Sequence, residues 1–367
     1  MESKEILKIY GADYKEMTKL LLKEAELAER IPSKEARIGI KPNLVSPTEA
    51  SFGATTHPEV VAGIIEYLRE HGFTQLIVLE GSWIGDKTSD AYEVCGYRAL
   101  TEKYGVPFVD TQKDTSHPCD CGGISIQICD SARKLDFLIN VPVLKGHCQT
   151  GLTCALKNMK GLIPNKEKRR FHGMGLHNPI AHLNVGLHQD FIVVDHICGD
   201  LDFEDGGNPV VRNCLMAAVD PVLMDAYAAS LLHYEVEEIP YIIMAAELGV
   251  GSSSLSELCI RMVDRQKDRA PLPKSRKIVE LKDAVEEVES CSACYGYLIP
   301  ALDKLREEGL FSHLREKIYI GQGYRGKTGK LGVGNCTRNF QHNIPGCPPT
   351  EQEIYEYLKA YLLEQKQ

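Results

Sequence analysis

This sequence predicts an α/β fold: a doubly wound, mostly parallel sheet followed by a smaller carboxy-terminal α/β domain. Three observations carry the prediction. Between residues 36 and 109, short apolar runs alternate with amphipathic stretches, strand–helix–strand–helix–strand, the order that buries a parallel sheet between layers of helix. From Cys291 to Pro349 four cysteines stand among glycines and prolines, a composition unlike the rest of the chain. The length of 367 residues suits two domains. Residues 265–277, charged and carrying Pro271 and Pro273, read as the linker. The expected division is a ligand-binding domain over 1–270 and a cysteine-rich domain over 271–367.

The elements follow in order. Residues 13–30 place Met17, Leu20, Leu21, Leu27 and Ala28 near one helical face. Residues 36–40 are a strand. A helix then opens with Thr56, Pro58 and Glu59, which read as a capping box, and ends at Gly72. Strand 75–80, helix 89–104 and strand 106–109 complete the alternation. Segments 124–128 and 136–141 read as two more strands of the sheet. Ligands of such sheets bind beyond the carboxyl ends of the strands, which points to the loops 41–56, 81–87 and 111–123. Later, 191–195 and 214–219 read as strands, Asp220-Pro221 opens a helix, 317–320 is a strand and 351–363 a terminal helix. Gly321 to Gly326 spells GxGxxG, but Lys327 to Gly332 is not helical, so the dinucleotide reading fails.

Composition narrows the function. Hydrophobic residues make up 43% of the chain and its formal net charge is −9, which supports a packed core and argues against nucleic acid as a main partner, while the basic cluster Lys166 to Arg170 remains a possible anion site. No apolar run reaches membrane-spanning length, and the first residues lack a signal-peptide pattern. Thirteen cysteines without a secretion signal imply reduced thiols and metal ligands in a cytoplasm. Clustered thiols also suit an anaerobic or low-oxygen cell.

Cys291-Ser-Ala-Cys294, Gly334-Asn-Cys336 and Gly346-Cys347-Pro348 look like metal ligands. One turn of CxxC backbone offers two sulfurs, a preceding glycine lets the chain pass close, and a terminal Cys-Pro recurs in bacterial ferredoxins. Zinc ribbons use two CxxC pairs, and here only the first pair has that spacing. The quartet Cys291, Cys294, Cys336 and Cys347 therefore points to a [4Fe–4S] cluster. Structural zinc and unliganded thiols are the alternatives.

The second candidate site runs from Lys145 to Gly161, read as a strand-to-helix turn with a short helix capped by Thr153. Lys145, His147, Thr150, Gly151 and Lys157 crowd this junction, and a helix amino terminus there would attract an anion. Lys157 and His147 are the catalytic candidates, for charge neutralisation and proton transfer. Lys41, Asn43 and His172 join Lys145, Thr150 and Gly151 as ligand-binding candidates. His172, His177, His182, His188 and His196, and the acidic run 200–205, are weaker metal candidates, the run reading first as an acidic turn.

Lys41-Pro-Asn, Gly53-Ala-Thr-Thr-His-Pro-Glu, Leu144-Lys-Gly-His through Lys157-Asn-Met-Lys-Gly, and Asp220-Pro with Asp225-Ala-Tyr together resemble the family known as domain of unknown function 362. The resemblance covers roughly residues 36–235 and implies an association with [4Fe–4S] clusters. A looser similarity is to the lactate racemase family, in which a nickel-pincer nucleotide is held by Lys and His. His147, Lys157 and His172 stand in matching order. The loop that carries a catalytic His in the racemases reads Glu80-Gly-Ser-Trp-Ile here, so this similarity implies the architecture rather than the reaction. The expected function is a cytoplasmic [4Fe–4S] redox enzyme or electron-transfer protein acting on a small anionic ligand or a redox partner protein. A redox-neutral isomerase with a structural metal site and a non-catalytic electron carrier are the alternatives, and assembly into a homo-oligomer is left open.

Overall fold

Eight strands form one sheet in the order Cys259–Met262, Glu5–Tyr10, Pro209–Ala218, Phe191–Asp200, Phe137–Val141, Ile38–Pro42, Leu76–Glu80 and Phe108–Asp110 in a computed structural model. The structure describes residues 1–204, 206, 208–275 and 277–365. Pro209–Ala218 runs antiparallel to both its neighbours, and every other pairing in this sheet is parallel. The sheet is thus large, mixed and mostly parallel.

Strand side chains alternate between two cores, as period-two geometry requires. Phe191 and Val193 face one core with Ile40, Val78 and the helices Tyr14–Glu24 and Pro58–Glu70. Ile192 and Val194 face the other, with Leu79, Met216 and the helices His177–Gly186 and Pro221–Leu231. Burial on both faces explains why these strands read as continuous apolar runs. Ile40→Ala in this setting leaves a cavity and costs about 2–5 kcal/mol.

Several expected elements shift. The helix at 13–30 divides at Glu26, whose φ is +54°, into Tyr14–Glu24 and Leu27–Arg30. The one at 89–104 divides at Gly96 into Thr88–Val94 and Tyr97–Tyr104. The capping box at Thr56 does not form. Its hydroxyl instead accepts from Asn43 N and donates to the Val141 carbonyl, fastening the loop to the sheet. The segment at 124–128 is not in the large sheet. Ser125–Cys129 folds back on Ser116–Asp120 as a hairpin, because Gly122 and Gly123, both at positive φ, close a local turn more cheaply than a long crossover does. Glu5–Tyr10 and Cys259–Met262 carried no signal that was read.

The carboxy-terminal region has its own sheet of four parallel strands in chain order, Val285–Glu287, Ile318–Ile320, Leu331–Val333 and His342–Ile344. Helices Ser292–Glu307 and Glu351–Gln365 pack on it through Leu298, Leu302, Ile354 and Leu358. The preceding segment is not a loose linker. Gln266 and Asp268 bond to Tyr10 and Lys8, and the Leu272 carbonyl accepts from His233 Nε2 at 2.7 Å. Among the described residues no helix is long and apolar enough to cross a membrane.

Candidate functional site

The chain leaves Ile38–Pro42 toward one edge of the large sheet and later returns to the other side of that strand as Phe137–Val141. At this reversal the two strand ends diverge and open a crevice. A pocket of about 550 Å³, including the part open to solvent, lies there. Lys41, Asn43, Glu80 and Gly81 line it from strand ends, and Lys157, Asn158, Lys160, Lys168 and His172 from the helical segments beyond. Glu204, Trp83, Ser292 and Ala293 complete the wall.

Two lysines arrive with acids. Lys41 Nζ lies 2.5 Å from Glu80, both buried. Gly161 is required here, since a Cβ on it would collide with the Glu80 carboxylate and reach within 2.7 Å of Lys41 Nζ. Lys157 Nζ lies 3.0 Å from Glu204 Oε1, and His147 Nε2 lies 2.7 Å from Glu204 Oε2. The His147 ring thus faces the Glu204 carboxylate through Nε2. Burial lowers the His147 pKa to about 3, and its Nδ1 accepts from the backbone N–H groups of Gln149 and Thr150. In this trio Glu204 is the anion, Lys157 the cation and His147 a neutral ring. Burial opposes the charge on Glu204, but its basic neighbours outweigh that and hold its pKa well below the carboxylate range.

The other two lysines have no acid. Lys168 Nζ donates to the carbonyls of Gly81 and Ser82, at 2.9 and 2.7 Å. Lys160 Nζ has no hydrogen bond or ion pair among the described residues. Burial lowers Lys160 to about 7, helped by Lys157 and Lys168. Burial likewise lowers Lys168 to about 8.

An amide chain fixes the pocket floor. Asn43 Nδ2 donates to Asn158 Oδ1, Asn158 Nδ2 to Asn140 Oδ1, Asn140 Nδ2 to Gln189 Oε1 and Gln189 Nε2 to Asn184 Oδ1. Each link sets the orientation of the next.

Of the residues singled out from sequence, Lys41, Asn43, Lys157 and His172 meet in the pocket. Lys145, His147, Thr150 and Gly151 do not line it. Lys145–His147 and Gly151–Thr153 form a small antiparallel hairpin rather than a run into a helix amino terminus. Lys145 Nζ is buried and donates to the carbonyls of Ala54 and Glu204. Thr150 donates to the Leu152 carbonyl, and Gly151 is at φ +80° against Ile239. The helix that follows, Ala155–Asn158, is one turn long and has no cap from Thr153. The anion at its amino terminus is the protein's own. Asp225 accepts from Ala155 N at 2.7 Å and Leu156 N at 3.1 Å. Burial nevertheless raises the Asp225 pKa to about 7.

Glu80 and Lys160 stand outside the ligand-site residues expected from sequence, Glu204 belongs there only to the acidic run, and Lys168 lies in the basic cluster Lys166 to Arg170 expected as a possible anion site. Their signal in the sequence was faint: a charged residue at a strand end or beside glycine. His182, His188 and His196 are not drawn into the pocket. His182 contacts the Cys121 carbonyl, His188 faces Asp190, and His196 is buried in its strand. Of the acidic run, Asp200 caps its own turn by accepting from Asp202, Phe203 and Asn208 N–H groups. Asp205 lies outside the described residues.

The four cysteines gather at one edge of the small sheet. Parallel strands place their exits on the same side, and Cys336 and Cys347 each follow an adjacent strand by three residues. Their loops are zipped together, Gly334 N to the Ile344 carbonyl and Asn335 N to the Gly346 carbonyl, both 2.8 Å. Cys291 is the cap of helix Ser292–Glu307 and Cys294 lies in its first turn, where the helix dipole favours thiolate. Burial raises the pKa of Cys294, and Cys291, Cys347 and Cys336 raise it further by their proximity. Arg325, from the GxGxxG turn, brings its guanidinium near Cys336, Cys291 and Cys347. Four sulfurs that repel one another as thiolates, on Gly-rich loops, with a guanidinium beside them, fit a cationic iron–sulfur centre. Among the described residues no group of three or more His, Cys, Asp or Glu closes around a single metal ion.

The two regions touch. Gln149 Nε2 donates to Ser290 Oγ at 2.9 Å, Ser292 Oγ donates to Gln149 Oε1 at 3.0 Å, and Trp83 packs edge-on against Tyr297. Ser292 N lies 3.4 Å from His172 Nε2, while His172 Nδ1 has no partner.

A family model described as "Domain of unknown function (DUF362)" matches residues 38–230. The chain is similar to the thylakoid-associated protein sll1697 of Synechocystis sp., 25% identical over 232 residues, covering 59% of this chain and 70% of that protein. Among solved structures it is similar to the lactate racemase apoprotein from Thermoanaerobacterium thermosaccharolyticum, with 14% identity and a TM-score of 0.42 over 64% of this chain and 57% of that one. It is also similar to a structural-genomics protein from Thermotoga maritima, with 13% identity and a TM-score of 0.35 over 64% of this chain and 60% of that one. The chain thus spans less than two thirds of the length of either solved structure.

Proposed function

This chain belongs to the DUF362 family, and we propose that it is an iron–sulfur enzyme that exchanges electrons with a small anionic ligand held in the lysine-lined pocket. One observation carries the reading. Ser292 and Ala293, the two residues between Cys291 and Cys294, also form part of the pocket wall. Cys291, Cys294, Cys336 and Cys347 would hold a [4Fe–4S] cluster, which supplies one-electron chemistry when bound. The remaining work falls to the chain's own side chains. Lys41 and Lys157, held by Glu80 and Glu204, fix the shape of the pocket wall without having to move. Trp83, Val45 and Ala293 pack together and keep bulk water out.

Proton transfer belongs to His172 rather than to His147. His147 turns its basic nitrogen to the backbone and stands behind Glu204. His172 lines the pocket, receives Ser292 N–H at Nε2, and so carries its proton on the unpartnered Nδ1. Burial lowers its pKa well below the ordinary value, which keeps the ring neutral and able to relay a proton at that atom. Thirteen unbridged cysteines support a reducing compartment such as a cytoplasm.

The test is anaerobic purification with iron and sulfide analysis, followed by optical and electron-spin spectra before and after dithionite. About four irons per chain and a dithionite-bleached band are expected. A colourless protein holding one zinc overturns the reading.

A further inference from the structure

The four lysines of the pocket differ in counter-charge. Lys41 and Lys157 are each matched by one glutamate, Glu80 and Glu204. Lys168 has only the carbonyl dipoles of Gly81 and Ser82, and Lys160 Nζ has no hydrogen bond or ion pair among the described residues. We propose that Lys160 and Lys168 are the recognition pair of the pocket, and that its ligand is a compact dianion, a dicarboxylate or a phosphate monoester. The inference rests on the anionic-ligand reading above and names the ligand class.

The charge count decides the class. Lys168 is faced by Glu80, Lys41, Cys129 and Asp110. Glu80 and Lys41 cancel, Asp110 is paired with Lys113, and burial pushes the Cys129 thiol up to about 12, so it is neutral. Lys160 is faced by Lys157, Glu204, Lys168 and Cys291. Lys157 and Glu204 cancel, and Cys291 belongs to the cysteine edge. Two ammonium groups remain. Lys168 is buried with only two carbonyl dipoles for partners, and Lys160 is part-buried in the wall with no acid paired to it, so each is costly as a charge. A monoanion compensates one and strands the other, whereas a dianion compensates both. The space left in the pocket for the centre of a water-sized sphere is only about 60 Å³, which limits the ligand to a compact one. In the ligand-free pocket the two amines are partly deprotonated near neutral pH, so binding a dianion draws protons from solution.

Calorimetric titration of the full chain, purified anaerobically, tests this with succinate, glycerol phosphate and propionate as probes at pH 8 in two buffers of different ionisation heat. Succinate or glycerol phosphate should bind at least about tenfold more tightly than propionate, with net proton uptake. The better of the two separates carboxylate from phosphate recognition. Lys160→Gln and Lys168→Gln, shown to be folded by their melting curves, should each weaken the dianion about tenfold or more and leave propionate nearly unchanged. Equal binding of propionate, a dianion preference that survives both substitutions, or no dianion binding at millimolar concentration overturns the proposal. Iron is measured in the same samples. Failed dianion binding with full iron sinks the lysine pair alone. Missing iron with dianion binding intact sinks the cluster and leaves the pair standing.

Discussion

Lys41 and Lys157 reach the pocket already matched, each by its own glutamate. Cys291, Cys294, Cys336 and Cys347 meet at the edge of the small sheet with the Arg325 guanidinium nearby. Both regions lie where parallel strands end, and both concentrate groups that repel their own kind. The difference lies in what holds them. The Lys41 and Lys157 pairs take their opposite charges from the same chain, so that part of the pocket keeps its geometry without a ligand. The cysteine edge gathers four like groups, and on the reading proposed above a cluster would complete it. A pair neutralised within the chain is held by its own partners, whereas a set of like groups gains order from whatever binds it.

The largest effect expected is on the dependent side. Serine at Cys291, Cys294, Cys336 or Cys347 should remove most of the bound iron and loosen the carboxy-terminal region, read by iron analysis and by proteolysis of 285–347. Serine at Cys95, whose thiol bonds to the Ser46 and Thr48 carbonyls, should leave iron unchanged. Equal loss at Cys95 would erase the contrast.

Next comes the self-neutralised side. Glu204→Gln leaves Lys157 charged, buried and unmatched, which should cost about 3–5 kcal/mol in denaturant unfolding. The pH dependence has a definite sign. The depressed pKa of Glu204 contributes stability above the ordinary carboxylate range, and that stability is lost as pH falls through its folded value. The variant should lack this acid limb. An unfolding midpoint equal to wild type at pH 7 would show that the trio is not pre-organised.

Lys160→Met should act in the opposite direction. A lysine with a folded pKa of about 7 penalises the fold increasingly as pH drops from the unfolded lysine value toward 7. Its removal should therefore raise ligand-free stability at pH 7, on the order of 1–2 kcal/mol, and change little near pH 10.5. Melting curves at the two pH values read this directly, and destabilisation at pH 7 would contradict it.

The smallest effect concerns the seam between the regions. Gln149→Ala removes hydrogen bonds to Ser290 and Ser292 and should cost about 0.5–1.5 kcal/mol. If the regions are coupled, iron binding should weaken in the same variant. Unchanged iron affinity would mark the seam as packing alone.

The parallel sheet was legible in the sequence because its cause is local and repetitive. Runs such as Phe191 to Val194 must be buried on both faces whatever surrounds them. That the four cysteines draw near one another was legible as well, since Gly and Pro beside thiols state a backbone requirement within a few residues, while their metal rests on the proposal above. Lys41, Asn43, Lys157 and His172 could be named because each stands in a segment dense with polar residues. Their partners could not. Glu80 and Glu204 are 124 positions apart by their numbering and come together only because strand Leu76–Glu80 and the loop after Phe191–Asp200 both end at the sheet's reversal. The turn at Lys145 to Gly161 looked like an empty anion site because Asp225, which fills it, arrives from a later helix. Composition and periodicity fix which residues must leave water. Only tertiary structure decides which charges then face one another, because pairing across long stretches of chain leaves no trace in local pattern.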